Sequence, residues 1–312
     1  MNVVEVNELV KLYGKKFTLS IDFKLKEGEF LGLVGENGAG KTTLLRIISG
    51  LLKPTSGKTM VFGIPSKKIK KISNYIGVIN QYTGLPDLLK VGEFLKNECV
   101  IRDIDYQSIQ TELDILGLSK YIDKKICDLS EGNKRKIVIL KALLHKPKLI
   151  IMDEPTVGID PMARAEIWSY VKKMKENGIS AIICTHNLYE IEQVCDRVIF
   201  LDNGNVQKQG KIEEIMREDE QKQELTVTVK NGIAEEIQQP LKELFQKNAF
   251  YYKEISFYPD SFLITVSEKA NDVLPKIVKL MYDNGYALDA ISVGKDSLEK
   301  VMAELSKEKN SL

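Results

Sequence analysis

Gly35-Glu-Asn-Gly-Ala-Gly-Lys-Thr42 follows the pattern G-x-x-x-x-G-K-[ST]. Before it runs Phe30-Leu-Gly-Leu-Val34, a short apolar stretch of the kind a buried central strand needs. After it, Thr42 to Leu52 carries apolar residues at helical spacing, with Gly50 and Pro54 marking the end. Strand, glycine-rich loop and helix in that order make a phosphate cradle. The glycines let the backbone curl so that successive N–H groups face one phosphate, and the helix start adds positive dipole. Lys41 can reach β- and γ-phosphates, and the Thr42 hydroxyl can ligate Mg²⁺. A glycine-rich turn with an accidental Lys-Thr would not need the flanking strand and helix.

Further along, Leu149-Ile-Ile-Met152 reads as a second buried strand and runs into Asp153-Glu154-Pro155. Two adjacent carboxylates after an apolar run fit a plain exit from strand to turn. With a phosphate cradle in the same chain they gain roles: Asp153 can hold Mg²⁺ through water, and Glu154 is placed to orient and polarise an attacking water. Ser180 to Cys184 and Arg197 to Leu201 read as further buried strands. Helical segments, Met162 to Asn177 and Leu188 to Val194, separate them, and this alternation argues for a mainly parallel sheet. Near the start, Phe17 to Leu25 alternates apolar and polar as a half-buried antiparallel strand does. Val91 to Ile101, Gln107 to Leu116 and Lys134 to Leu144 read as helices.

The chain has 312 residues, 43% of them hydrophobic, enough for one large domain and a small one. Its 45 basic and 44 acidic residues leave a net charge of +1, which gives no electrostatic case for a nucleic-acid partner. The four cysteines lack C-x-x-C spacing and only two histidines exist, so free thiols in a reducing compartment are expected and a zinc site is not. MNVVEVNELV has no basic start followed by an apolar run, so no secretion signal is expected. No stretch of about 18 apolar residues occurs, so any transport role would need separate membrane subunits.

Together these residues resemble the ABC ATPase family over positions 1 to about 215. Leu129-Ser-Glu-Gly-Asn133 resembles the signature LSGGQ and opens a basic helix. Gln81, after Tyr75 to Ile79, sits where the family has its Q-loop glutamine, a magnesium contact. Val157-Gly-Ile-Asp160 resembles the D-loop, and His186, after Ile182 to Thr185, resembles the switch histidine. Tyr13 resembles the aromatic that stacks on adenine. Taken alone, Tyr13 would read as an ordinary aromatic and His186 as a satisfied histidine. His145 matches no motif.

The resemblance implies an α/β fold, a P-loop NTPase ABC cassette with a mainly parallel core sheet, an antiparallel β-subdomain and a helical subdomain. It implies ATP and Mg²⁺ as cofactors, with Gly35, Asn37, Gly38, Ala39, Gly40, Lys41, Thr42, Thr43 and Tyr13 as nucleotide contacts and Thr42, Gln81 and Asp153 around the metal. It casts Glu154, His186, Gln81 and Lys41 as catalytic. Ser130 and Gly132 would cover ATP bound to a second copy, facing head to tail. The signature departs from the family at Glu131 and Asn133. The apolar face Val91, Phe94, Leu95 beside Gln81 fits either a docking site for a permease helix or the cassette's own core.

Arg217 to Glu224 is polar and without periodicity, and reads as a linker between a cassette over 1–216 and an accessory domain over 225–312. In that domain Leu225–Val229, Tyr252–Tyr258, Ser261–Val266 and Leu288–Val293 read as strands, with helices expected over 234–245, 273–282 and 297–305. The order β-α-β-β-α-β suggests a small α+β ferredoxin-like fold. It resembles the tail of ATPases of type-2 exporters for drugs, antibiotics and sodium. The resemblance therefore implies the ATPase subunit of an exporter, a homodimer held on the inner face of the membrane by permease subunits. The alternatives are an importer ATPase with a regulatory tail and a non-transport ABC ATPase. A ribosome-acting member would carry two cassettes and a chromosome-acting one long coiled coils, and neither pattern is present.

Overall fold

The structure is a computed structural model. It describes residues 1–14, 17–219, 223–229, 252–258, 261–266 and 270–293, with residues 238, 239, 242, 243, 245, 298, 301, 302 and 305. The chain divides into two units, Met1–Ile212 and Glu213–Leu312.

The first unit opens with β1 (Asn2–Tyr13), β2 (Phe17–Lys26) and β3 (Phe30–Val34), followed by α1 (Lys41–Ile48). In β2 the alternation is borne out: Leu19, Ile21, Phe23 and Leu25 are buried and the residues between them exposed. All five residues of β3 are buried, as a strand covered on both faces requires. Helix α1 is shorter than its apolar spacing suggests, because Gly50 turns left-handed with φ 78° just past it. Next come β4 (Ser56–Val61), β5 (Ile64–Pro65), α2 (Ile69–Ile72), β6 (Ile76–Ile79), α3 (Val91–Ile101), α4 (Gln110–Ile115), α5 (Glu131–Leu143), β7 (Leu149–Asp153), α6 (Pro161–Glu176), β8 (Ser180–Cys184), α7 (Leu188–Val194), β9 (Arg197–Asp202) and β10 (Asn205–Lys211).

The ten strands form one sheet in the order β5-β4-β1-β2-β10-β9-β3-β8-β7-β6. From β9 to β6 every pairing is parallel, whereas β1, β2, β4 and β5 pair antiparallel. This is the α/β cassette architecture expected. The parallel strands point their C-terminal ends one way, and the loops that leave β3, β6, β7 and β8 therefore gather on one edge, where ligands bind in such sheets. Strand β10 was not read from the sequence: its residues are half-buried or exposed throughout, and only the Asn203-Gly204 turn announces it.

A second apolar cluster joins α3, α4 and α5, with Leu95, Leu113, Leu118, Ile126 and Ile137 fully buried. Val91, Phe94 and Leu95 belong to it, at 0%, 6% and 0% exposure. Of the two readings of that face, the cassette's own core is the correct one. The exposed apolar side chains near Gln81 are instead Tyr82 and Leu88.

In the second unit, α8 (Ile212–Asp219) begins at the boundary and extends into the stretch read as a linker. Then follow β11 (Gln223–Val229), β12 (Tyr252–Phe257), β13 (Ser261–Val266), α9 (Ala270–Asp283) and β14 (Leu288–Val293). The four strands are antiparallel in the order β12-β13-β11-β14, the order of a ferredoxin-like sheet. Phe245, Phe262, Ile264, Ile277 and Met281 fill its core. The helices expected over 234–245 and 297–305 lie largely outside the described residues. Among the described residues no helix is long and apolar enough to cross a membrane.

Candidate functional site

The loop after β3 is shaped by the closeness of its neighbours. A Cβ on Gly35 would stand 2.0 Å from the Leu201 carbonyl oxygen, so only glycine lets the loop leave β3 there. Gly40, at φ 106°, caps α1 in a conformation that other residues avoid. Lys41 is 8% exposed and its Nζ donates to the Gly35 and Glu36 carbonyls at 2.6 and 3.0 Å. The lysine thereby spans its own loop.

From the end of β7, Asp153 Oδ2 accepts a hydrogen bond from Thr42 Oγ1 at 2.9 Å. A hydroxyl and a carboxylate so placed, with Gln81 on the same cavity wall, are the hard oxygen donors that Mg²⁺ prefers, so the residues fit that ion. Glu154, the next residue, is left-handed at φ 48°. Its N–H donates to Cys184 O at 2.8 Å, and its Oε2 lies 2.9 Å from His186 Nδ1. Behind this pair Glu190, 4% exposed, accepts from Thr156 Oγ1 at 2.8 Å and Thr185 Oγ1 at 2.9 Å. One buried carboxylate so ties the exit of β7 to the exit of β8.

A cavity of 480 Å³ brings together Tyr13, Asn37, Gly38, Gly40, Lys41, Thr42, Thr43, Gln81, Asp153, Glu154 and His186. Gly35 and Ala39 shape the loop from behind, Ala39 being 3% exposed. Phe17 also lines the cavity, its ring centroid 6.2 Å from that of Tyr13. It was missed because its place at the head of an alternating strand gave it a sufficient reason to be apolar.

Ser130 and Gly132 are not among the lining residues. Ser130 caps α5, its Oγ accepting from Asn133 N at 3.4 Å, and Gly132 is buried against α6, where a Cβ would meet Ala163 Cβ at 2.6 Å. The basic start of this helix holds a residue whose role the sequence did not disclose. Arg135, 3% exposed, donates to Asn80 O at 2.5 Å, Gln81 O at 2.8 Å and Glu154 O at 3.1 Å. All four cysteines are free, and burial pushes the Cys184 and Cys195 thiols well up, which leaves them inert packing groups.

Residues 19–157 match the family model described as ABC transporter. The linearmycin resistance ATP-binding protein LnrL of Bacillus subtilis is 38% identical over 65% of this chain and 68% of its own length. The bacitracin transport ATP-binding protein BcrA of Bacillus licheniformis is 30% identical over 97% of both chains. Among solved structures, the ATP-binding subunit of an ABC transporter superposes with a TM-score of 0.63 at 27% identity, covering 69% of this chain and 92% of that one. A dimeric cassette, MJ0796 bound to ADP and Pi after hydrolysis, gives 0.60 at 26% identity over 67% and 98%.

Proposed function

We propose, since this chain belongs to the ABC transporter family and is an ATP-hydrolysing cassette of it, that it powers an exporter through separate membrane subunits, as a dimer on their cytoplasmic side. The observation that carries the site assignment is the convergence of Thr42–Asp153 and Glu154–His186, each pair at 2.9 Å, on the cavity beneath the Lys41 loop.

In this reading the loop N–H groups and Lys41 bind the phosphates of ATP, and the rings of Tyr13 and Phe17 face its base. Thr42, Asp153 and Gln81 would hold Mg²⁺, which would supply positive charge against that of the phosphates. Glu154 orients and polarises the attacking water, and His186 keeps that carboxylate in place. Ser130 and Gly132 complete the site of the opposite copy, so closing the dimer excludes bulk water and couples nucleotide state to a rigid-body motion.

Export rather than import is supported by the tail: the similarity to the bacitracin transport protein runs through the accessory domain as well as the cassette. Inside-out membrane vesicles holding the permease and this subunit test both halves. With ATP added outside, they should accumulate labelled bacitracin or a related peptide antibiotic, and Glu154→Gln should stop it. ATP-driven release of preloaded peptide would reverse the direction.

A further inference from the structure

Arg135 is a buried cation that the proposed function leaves unused. It sits five residues after Ser130 on α5 and, unlike Lys136, which pairs with Glu166, forms no ion pair within 4.0 Å among the described residues. Burial lowers its pKa from the usual arginine range, while Glu131 and Asp153 raise it. A guanidinium stays charged nonetheless, and a buried charge needs partners. Its partners are three backbone carbonyls on two segments: Asn80 and Gln81 beyond β6, and Glu154 beyond β7.

The Glu154 contact is the telling one. A left-handed glutamate persists only if its surroundings over-determine it. On one side its N–H is bound to the Cys184 carbonyl; on the other its carbonyl is bound by Arg135. The same guanidinium fixes the backbone of Gln81, another residue that lines the cavity. Its Cα lies on the helix whose first residues are those aimed at the opposite copy's nucleotide. Three segments that must move together in a shared-site ATPase thus meet at one planar five-donor group, which lysine could not replace because it lacks the fork.

We propose that Arg135 is a positioning residue that couples the two ATP sites of the dimer, transmitting engagement of Ser130 and Gly132 by the opposite copy's nucleotide to Gln81 and Glu154 of its own copy. The inference rests on the shared-site reading. Nucleotide binding through Lys41 and Thr42 should not depend on Arg135, whereas the rate and the cooperativity of hydrolysis should.

The test is the ATP dependence of hydrolysis by the full-length protein, beside equilibrium binding of a fluorescent ATP analogue. Arg135→Met should bind the analogue within about threefold of the parent, lose roughly 10- to 100-fold in kcat, and drop from a Hill coefficient above 1 to about 1. Arg135→Lys should recover part of kcat but less of the cooperativity, and it decides the matter if the methionine variant does not fold. A fall in kcat with cooperativity intact would overturn the coupling and leave a local role. So would parental kinetics in both variants, or a Hill coefficient of 1 in the parent itself. Glu154→Gln serves as the control: if it hydrolyses ATP normally, the site assignment fails first, and that failure is seen without touching Arg135.

Discussion

His186 Nδ1 and Glu154 Oε2 are 2.9 Å apart, and the two side chains differ sharply in exposure, 67% for the imidazole and 13% for the carboxylate. The glutamate is set in the wall and the histidine reaches over it from the end of β8. Substituting Glu154→Gln keeps the shape and removes the base. ATP binding should persist while hydrolysis falls by ~10²–10⁴, and an ATP-bound dimer should accumulate. Single-turnover phosphate release alongside size-exclusion chromatography in ATP reads both. Parental hydrolysis by the glutamine variant would remove Glu154 from the mechanism.

The cassette core was legible because its decisive elements are local. The β3 run, the glycine loop and the start of α1 are contiguous, and so are β7 and its two carboxylates. What stayed hidden depends on distant packing. Arg135 looked like one more charge in Lys134-Arg-Lys136, and only the fold brings Asn80 and Glu154 to it. Glu190 lies in the segment read as a helix, Leu188 to Val194, where nothing local marks it out, and only the fold brings Thr156 and Thr185 to it. The face formed by Val91, Phe94 and Leu95 had the right spacing for either of two partners, and spacing alone does not say which one covers it.

Glu190 therefore makes a stability prediction. Glu190→Ala would leave two buried threonine hydroxyls without acceptors, each worth about 1–3 kcal/mol, so a loss of roughly 2–6 kcal/mol is expected. The single tryptophan, Trp168, lies in α6 of the first unit and is 8% exposed, so its fluorescence in urea follows the cassette alone. A midpoint unchanged from the parent would mean that water serves those hydroxyls as well as the carboxylate does.

A chain ending at Arg217 keeps every residue that lines the cavity proposed for ATP. It should bind Mg-ATP within about threefold of the full chain, a difference under ~1 kcal/mol. Calorimetric titration measures it. Loss of binding in a folded truncation would assign the accessory domain to the ATP site.

Tyr82 and Leu88 are 83% and 80% exposed beside Gln81, and large apolar side chains so open suit a protein partner. A cysteine placed at Leu88 should cross-link to the permease in the assembled transporter, and one placed at Gln221 should not. Labelling from position 221 alone would move the docking surface away from the Q-loop.

The signature motif poses the last question, because Glu131 and Gly132 face different fates. A carboxylate ~4 Å from a phosphate charge would be opposed by ~4 kcal/mol at an effective dielectric of ~20. Glu131 is instead turned along its own helix, its side chain 62% exposed and its Oε1 accepting from Lys134 Nζ at 2.9 Å. That hydrogen bond holds the Lys134 ammonium above its usual range. Glu131→Gly should thus change ATPase activity by less than about tenfold; a hundredfold rise would mean the carboxylate faces nucleotide in the closed dimer. Gly132 has no such freedom. Even a methyl there would stand 2.6 Å from Ala163 Cβ, so Gly132→Ala should already impair activity by pushing α5 off α6, and Gly132→Asp should abolish it. Pairing Gly132→Ala with Ala163→Gly separates the two reasons for this glycine. Recovery of activity in the double variant would make helix packing the constraint, and continued loss would leave close approach to the opposite copy's phosphate as the reason no side chain fits.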